Sequence, residues 1–342
     1  MQRYQAPRWL PGGHAQTIWP ALVARPLLGA LPRYRRERWP TPDGDFIDLD
    51  WLGEADDTPL LVLFHGLEGS SLSHYCLAFG DWAKRNAWRF VVPHFRGCSG
   101  ELNLAPRAYH SGDHEEIGWI LARLRRAHRG KMFAVGVSLG GNALLRWAQE
   151  AGETASASVQ AVAAVCAPVD LTASGHAIGR GFNALVYTPM FLRSMKPKAL
   201  AKLAQHPGLF DREAMLAARN IYEFDNVVTA PLHGFRDADD YWLRASAKPH
   251  LQRMRIPALV LNALNDPFVP AASLPRADAL GVPVGPRAMP YVTLCQPAHG
   301  GHVGFPGGPG PGRALPELVM AWIGGAGSTP GFARTSQHGC DR

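Results

Sequence analysis

Gly136-Val137-Ser138-Leu139-Gly140 is the stretch that decides the fold. The residues before it, 131–137, form a short apolar run typical of a buried strand, and residues 142–150 have the apolar spacing of a helix. A G-x-S-x-G sequence between a strand and a helix is typical of a tight turn that lifts a serine hydroxyl above the sheet edge. Glycine is needed on both sides because larger side chains would collide with the strand and the helix. This context favours a nucleophilic serine over a chance turn.

Strand and helix patterns alternate on both sides of this turn. Residues 59–64 and 88–92 are apolar runs before it, and 159–166 and 256–261 are similar runs after it. Strands that are apolar at successive positions are expected in a parallel sheet covered on both faces. The helical segments between these runs predict a mostly parallel, doubly wound α/β sheet.

The alternation stops between about residues 170 and 250. This part of the chain has few strand-like runs. It contains amphipathic pieces instead, at 199–206, 211–222 and 238–247. We therefore expect a helical cap inserted into a single domain that spans residues 1–323. The remaining residues, 324–342, are rich in Gly, Ser and Thr, which predicts a disordered tail.

A nucleophilic serine needs a base, and the base needs an acid that orients it. In sheets of this kind the chain order is serine, acid, histidine, and site residues follow the carboxyl ends of strands. Asp266 follows the predicted strand 256–261, and His302 follows the last predicted strand, 288–295. We expect Ser138, Asp266 and His302 to be the nucleophile, the orienting acid and the base.

Both partners of the serine have rivals in the sequence. His299 also follows the last strand, but glycines around His302 would let its loop turn back over the sheet. Asp240 falls in the predicted cap and Asp278 in a predicted helix, whereas Asp266 lies in a loop after a strand. Position in the chain therefore favours His302 and Asp266.

The oxyanion of an acyl-transfer intermediate needs two N–H donors. One is expected from the backbone of Leu139, directly after the serine. The other is expected from the loop His65-Gly66-Leu67-Glu68-Gly69, where we choose the Leu67 N–H. His65 either donates a hydrogen bond that shapes this loop or is a polar residue of the core.

With these residues in place, the sequence resembles the YheT-like branch of the α/β-hydrolase superfamily, also called the AB hydrolase superfamily 4 family. The matching stretches lie in one order between about residues 10 and 323. They are 65–70, 94–100, 109–112, 136–142, 265–268 and 300–305, with weaker matches at 14–18 and 223–225. The resemblance implies an α/β-hydrolase fold, an ester or lipid substrate, and a charge relay at Ser138, Asp266 and His302.

Other chemistries have weaker support. His110-Ser-Gly-Asp-His114 has two histidines at helical spacing but lacks the glutamate of an H-E-x-x-H motif, so we expect no metal. The loop at 66–71 lacks the lysine of a phosphate loop, so we expect no nucleotide cofactor. Arg96 is better explained as a structural arginine than as an anion-binding residue.

Charge and composition set further limits. The 342 residues carry a formal net charge of +7, and a basic cluster at 123–129 is better explained as a solvated helix face than as a site for nucleic acid or anionic lipid. The sequence has no run of 18 or more apolar residues, no apolar leader and no C-x-x-C pair. We expect a cytoplasmic protein without a transmembrane helix. Peripheral membrane contact is possible but not indicated, and the oligomeric state stays open.

Together these features predict a serine hydrolase that cleaves carboxylic esters, with short to medium acyl chains, through an acyl-enzyme on Ser138 and without a cofactor. An acyltransferase that makes esters from alcohols is the alternative, because an alcohol can replace water. A non-catalytic membrane-surface protein is a third hypothesis, but binding alone needs no triad. The cap offers seven aromatic candidates for an acyl pocket, most of which we expect to pack the cap on the sheet: Tyr187, Phe191, Tyr222, Phe224, Phe235, Tyr241 and Trp242.

Overall fold

A computed structural model describes residues 4–24, 31–276, 291–307 and 312–326 of the chain. These residues contain one sheet of eight strands. The strands are β1 (Arg35–Pro40), β2 (Phe46–Leu52), β3 (Leu60–Phe64), β4 (Arg89–Pro93), β5 (Met132–Val137), β6 (Ala161–Val165), β7 (Ala258–Leu261) and β8 (Val292–Cys295).

The order of the strands is β1-β2-β4-β3-β5-β6-β7-β8. β1 and β2 form an antiparallel hairpin that pairs antiparallel with β4, and all pairs from β4 to β8 are parallel. The predicted α/β class with a mostly parallel sheet is therefore confirmed. In the β3–β5 register Phe64 lies opposite Gly136, so the loops after these two strands begin side by side.

Helices cover both faces of the sheet. Outside the β6–β7 connection they are α1 (Gly12–Trp19), α2 (His74–Arg85), α3 (His114–Ala127), α4 (Leu139–Ala151) and α11 (Ala314–Ala326). The β6–β7 connection contains α5 (Leu171–Ile178), α6 (Gly181–Gln205), α7 (Arg212–Ala217), α8 (Ile221–Phe224), α9 (Ala230–Leu232) and α10 (Ala238–Ala245). Short 3₁₀ turns at Gly152–Ala157, Lys248–Arg253 and Ala271–Ser273, and π-helical turns at Pro20–Ala24 and Asp225–Thr229, complete the described elements.

Two apolar cores, one on each face of the sheet, explain the continuous apolar runs. Leu60, Val62 and Phe64 of β3 belong to the core beneath α3 and α4. Leu61 and Leu63 belong to the other core, beneath α2 and α11. All five side chains have no exposed surface, because successive residues of a strand point to opposite faces and both faces are covered.

The β6–β7 connection differs in detail from the sequence prediction. The piece predicted at 199–206 is the end of α6, a helix of 25 residues that continues through Pro189 and Pro197. Proline removes an N–H donor from a helix, so the sequence pattern indicated only the part after the second proline. The piece predicted at 211–222 is two short helices, and Asn220 caps the second by accepting the Glu223 N–H.

Some predictions fall partly or wholly outside the described residues. Of the strand predicted at 288–295, residues 288–290 lie outside the described residues, and the strand itself begins at Val292. Asp278 lies outside the described residues, and so do residues 327–342 of the predicted tail. The final helix reaches Ala326 and thus includes the first residues assigned to that tail.

Asn142, on the first turn of α4, joins the β6–β7 connection to the rest of the molecule. Its Nδ2 donates to the backbone oxygens of Ser111 and Ala245, each at 2.8 Å. Its Oδ1 accepts the Ala247 N–H at 3.0 Å. The side chain is fully buried, so water cannot replace these partners.

Replacing Asn142 by Leu should therefore lower the free energy of unfolding by about 3 kcal/mol or more. The Ala247 N–H and two carbonyl oxygens would stay buried without this partner, and each such group costs about 1–3 kcal/mol. Urea denaturation measures the effect. Asn86→Leu is the control, because within the described residues the exposed Asn86 side chain donates to the Trp82 oxygen alone, and the change should cost about 1 kcal/mol. Equal losses in the two variants would contradict this account.

Candidate active site

Ser138 sits in the sharp turn that connects β5 to α4. Its φ of 52° lies in the left-handed region, where a residue other than glycine is strained. The Ser138 N–H donates to the Val165 oxygen of β6 at 2.8 Å, which fixes the turn against the neighbouring strand. The predicted strand, turn and helix are thus found in the predicted order.

The glycines around Ser138 allow three backbones to approach each other closely. A Cβ added to Gly136 would lie 2.4 Å from the Gly140 oxygen. A Cβ added to Gly140 would lie 2.4 Å from the His65 oxygen, in the loop after β3. Any larger residue at either position would force these backbones apart, which is the steric role expected from the sequence.

Ser138, His302 and Asp266 form a continuous hydrogen-bonded chain. His302 Nε2 lies 2.9 Å from Ser138 Oγ, and His302 Nδ1 lies 2.9 Å from Asp266 Oδ2. Asp266 also accepts the N–H groups of Phe268 and Val269, so its carboxylate is held from the loop side as well. With its proton on Nδ1, the imidazole donates to Asp266 and can accept from the serine hydroxyl.

The rival residues lie elsewhere. His299 is exposed, and its Nδ1 is 3.4 Å from Asn265 Nδ2. Asp240 is on α10, where it accepts from the backbone of Arg236 and pairs with Arg244. In the part of the chain that the structure describes, neither is recorded in contact with Ser138.

The N-terminal helix α1 holds the loop that carries His302. Thr17 Oγ1 accepts the His302 N–H at 2.8 Å and donates to the Gly13 oxygen. Gln16 Oε1 accepts from both the Gly300 N–H and Asn265 Nδ2, each at 2.9 Å. One side chain of α1 therefore ties the histidine loop to the loop of Asp266. Sequence reasoning assigned no role to Gln16 and Thr17, and its only signal there was the weaker family match at 14–18.

Cys166, Asp266 and His302 form a compact group whose ligating atoms lie within 4.8 Å of one another. The Cys166 sulfur accepts the Val303 N–H, and burial raises the pKa of this thiol well above its ordinary value. Because a metal ligand must be the thiolate, the chemistry of this group favours a structural thiol beside Asp266 and His302.

The loop after β3 is shaped so that one N–H group remains available. The Gly66 N–H donates to the Tyr75 hydroxyl and the Glu68 N–H to the Tyr109 hydroxyl. Among the described residues, the structure records no acceptor for the Leu67 N–H between them. Leu139 is the first residue of α4, a position whose N–H has no acceptor within the helix. Leu67 and Leu139 line the same cavity as Ser138 and His302.

His65 shapes this loop from within the core. Its Nδ1 donates to the Gly66 oxygen at 2.8 Å, and its Nε2 accepts the Phe95 N–H at 3.0 Å. Burial, with a smaller effect of His94, lowers the pKa of His65 to about 3, so the imidazole stays neutral. His65 is thus both a buried core residue and the donor that shapes the loop.

An ion pair missing from the sequence analysis connects the same loop to α6. Lys198 Nζ lies 2.9 Å from Glu68 Oε2, and Tyr109 Oη donates to Glu68 Oε1 at 2.9 Å. Glu68 has a φ of 56°, so its backbone is strained directly beside Leu67. The contact joins residues 130 positions apart, and no local pattern signals it.

The cavity at Ser138 has a volume of about 180 Å³ and a mainly apolar lining. Four of the seven aromatic candidates line it, namely Phe191, Phe224, Tyr241 and Trp242. Arg96 also borders it, but its guanidinium is paired with Asp43, Asp45 and Glu116, as the structural interpretation predicted. The space around the serine is therefore suited to an apolar group.

The strand order and the serine turn define a protein of the α/β-hydrolase class. Residues 59–309 match the family model described as alpha/beta hydrolase fold, and the chain belongs to this family. It is 39% identical to "Putative esterase YheT" of Escherichia coli. The 301 aligned residues cover 86% of this chain and 84% of that protein. The predicted resemblance to the YheT-like branch is thereby confirmed.

More distant relatives share the fold. The chain is 29% identical to "Phospholipase ABHD3" of Mus musculus, over 89% of this chain and 73% of that protein. Among solved structures, a puromycin-hydrolyzing peptidase of Mycobacterium tuberculosis matches with a TM-score of 0.54 and 17% identity, over 89% of this chain and 42% of that one. The last match shows a common fold only.

Replacing Thr17 by Val should lower kcat/KM for ester substrates about tenfold while the chain stays folded. The change leaves the buried His302 N–H without an acceptor, and a small displacement of the imidazole from Ser138 Oγ is expected to cost much activity. Steady-state kinetics with a p-nitrophenyl ester measures it. Thr188→Val is the matched control, because Thr188 Oγ1 bonds the Ile178 oxygen away from the histidine loop. Equal effects on kcat/KM would contradict a positioning role for Thr17.

Proposed function

We propose that the chain is a serine hydrolase that cleaves carboxylic esters through an acyl-enzyme on Ser138. The observation that carries the proposal is the hydrogen-bonded chain Ser138–His302–Asp266, with both histidine nitrogens at 2.9 Å from their partners. This arrangement is what a serine hydroxyl requires to become a nucleophile at neutral pH.

In the proposed mechanism Ser138 Oγ attacks the carbonyl carbon of the ester while His302 Nε2 takes the hydroxyl proton. Asp266 orients the imidazole and stabilises its charged form. The Leu67 and Leu139 N–H groups donate to the oxyanion of the tetrahedral intermediate. His302 then gives the proton to the leaving alcohol, and the acyl group stays on Ser138.

Water completes the reaction in a second step of the same kind, in which water is the nucleophile and Ser138 Oγ is the leaving group. His302 takes a proton from water as the water oxygen attacks the acyl carbon, and Ser138 Oγ leaves with that proton. The products are a carboxylic acid and the free serine. Every proton transferred passes through His302, so no cofactor enters the proposed cycle.

The apolar lining of the cavity supports an apolar acyl group of short to medium length as the substrate class. The residues that form this lining come largely from the helices between β6 and β7, so we propose that residues 170–250 act as a cap within a single domain of residues 1–323. The relatives named esterase and phospholipase agree with an ester or lipid substrate. Cys76, Cys98 and Cys166 are buried free thiols, which supports a reducing, cytoplasmic compartment.

Ser138→Ala should reduce the hydrolysis of a p-nitrophenyl ester by about 10⁴-fold or more, because the nucleophile is removed. A fluorophosphonate should label the wild type on the peptide that contains Ser138 and should not label the variant. Ser156→Ala, at an exposed serine, is the control and should keep full activity and labelling. Retained activity in Ser138→Ala would overturn the mechanism.

The acyltransferase alternative is tested on the same enzyme by product analysis with added glycerol. A hydrolase releases mainly the free acid, whereas an acyltransferase forms a new glycerol ester faster than it releases acid. Ester formation that outruns hydrolysis would replace the proposed reaction and would leave the role of Ser138 unchanged.

His302→Ala should lower kcat/KM by about 10⁴-fold, because it removes the nitrogen that lies 2.9 Å from Ser138 Oγ and takes the serine proton in the proposed mechanism. His299→Ala should change it by roughly twofold at most, as expected for an exposed side chain away from the hydroxyl. Both variants are compared by steady-state kinetics and by thermal unfolding, since loss of folding would show in the second measurement. The reverse ranking of the two variants would assign the base to His299.

A further inference from the structure

One side of α6 presents large apolar side chains to solvent. Phe182, Leu185, Val186 and Met190 are 47%, 79%, 40% and 54% exposed. Their spacing of i, i+3, i+4 and i+8 places all four on one side of the helix. We call these four residues the α6 face. Contiguous exposed apolar surface of this kind marks an interaction site in folded proteins.

The other side of α6 is packed, so the helix is fixed in place. Asn183, Tyr187 and Thr188 are buried, and Tyr187 packs against Phe268 beside the triad. Phe191 and Met195, further along the helix, line the cavity that contains Ser138. The same helix therefore forms part of the cavity wall and carries the α6 face on its outer side.

The charge of the segment that contains the α6 face is positive, and no acidic residue in that segment balances it. Residues 171–210 contain five Lys and Arg residues and no Asp or Glu. Arg180 directly precedes α6, and Arg193 lies three residues after Met190 on the same side of the helix. Both arginines are exposed, and within the described parts of the chain neither is recorded in an ion pair, whereas Lys198 is paired with Glu68.

We propose that the α6 face docks this protein onto the surface of an anionic phospholipid bilayer. A helix that lies in the interface needs an apolar side to enter the acyl boundary and basic residues to meet the lipid phosphates. The α6 face and its two flanking arginines supply both. The inference goes beyond ester hydrolysis, because docking requires no reaction at Ser138. It would bring lipid esters to the wall of the cavity.

The basic cluster at 123–129 is the competing membrane surface. It lies on and after α3, where Arg123 stacks on Trp39 and Trp119. Among the described residues, none of the large exposed apolar side chains lies on α3. That cluster therefore offers charge without an apolar surface to insert, which makes it the appropriate control for unspecific electrostatic attraction.

The test is co-sedimentation with vesicles of phosphatidylcholine, with or without phosphatidylglycerol. All proteins carry Ser138→Ala, so that no lipid is hydrolysed and binding is read separately from the proposed activity. The variants are Leu185→Ser with Met190→Ser, Arg180→Glu with Arg193→Glu, and, as control, Arg126→Glu with Arg129→Glu. In a Ser138 background, hydrolysis of a soluble p-nitrophenyl ester shows that each variant keeps its fold.

Binding to vesicles with phosphatidylglycerol is expected to fall at least roughly tenfold in each α6 variant and to change little in the control. Weak binding to phosphatidylcholine alone and a loss of binding at high salt are also expected. Three results would overturn the proposal: no binding by the parent protein, equal binding by the α6 variants, or loss confined to the control. A dimer that dissociates in Leu185→Ser with Met190→Ser, without vesicle binding, would assign the face to self-association.

Discussion

The close approach of three backbones at Gly136, Gly140 and the His65 oxygen is the constraint on which the site depends. It follows from the register of the sheet, because Phe64 opposite Gly136 makes the loops after β3 and β5 leave the sheet together. The strained φ of Ser138 is tolerated since its N–H bonds β6 and since α4, which begins at the next residue, is buried against the sheet. The position of the site is therefore set by the packing of the strands, and the loops add the side chains around it.

The histidine loop has a different kind of support. It follows β8 at the edge of the sheet, where few neighbouring strands can hold it. The helix α1 supplies the missing contacts, and Gln16 bonds both the Gly300 and the Asn265 segments at once. The helix α1 thus stabilises the loop that carries His302.

Much of the fold and the site could be predicted from the sequence because the signals are local. A buried parallel strand such as β3 is apolar at every position, and Ser138 and Asp266 follow buried strands of this kind, β5 and β7. His302 follows the half-buried edge strand β8. The contacts of Thr17 with His302 and of Lys198 with Glu68 join distant segments. Each of these residues has an ordinary role in its own neighbourhood, so no period or motif distinguishes it. The sequence did not predict the full length of α6, because its two internal prolines are local signals for the end of a helix.

The composition of α6 gives a second reason why its pattern was weak. A helix at the surface of a domain usually shows one apolar side and one polar side. In α6, buried Leu192 and the cavity residue Phe191 share the helix with exposed Leu185 and Met190, so apolar residues occur on several sides. Such a helix is expected where two apolar environments meet, one inside the protein and one outside it. Its charge agrees with this, because exposed Arg180 and Arg193 carry positive charge beside the α6 face, and such charge attracts an anionic partner. The apolar residues on several sides of α6 therefore obscured its helical pattern in the sequence. The same residues give the helix one apolar surface toward the cavity and another toward solvent.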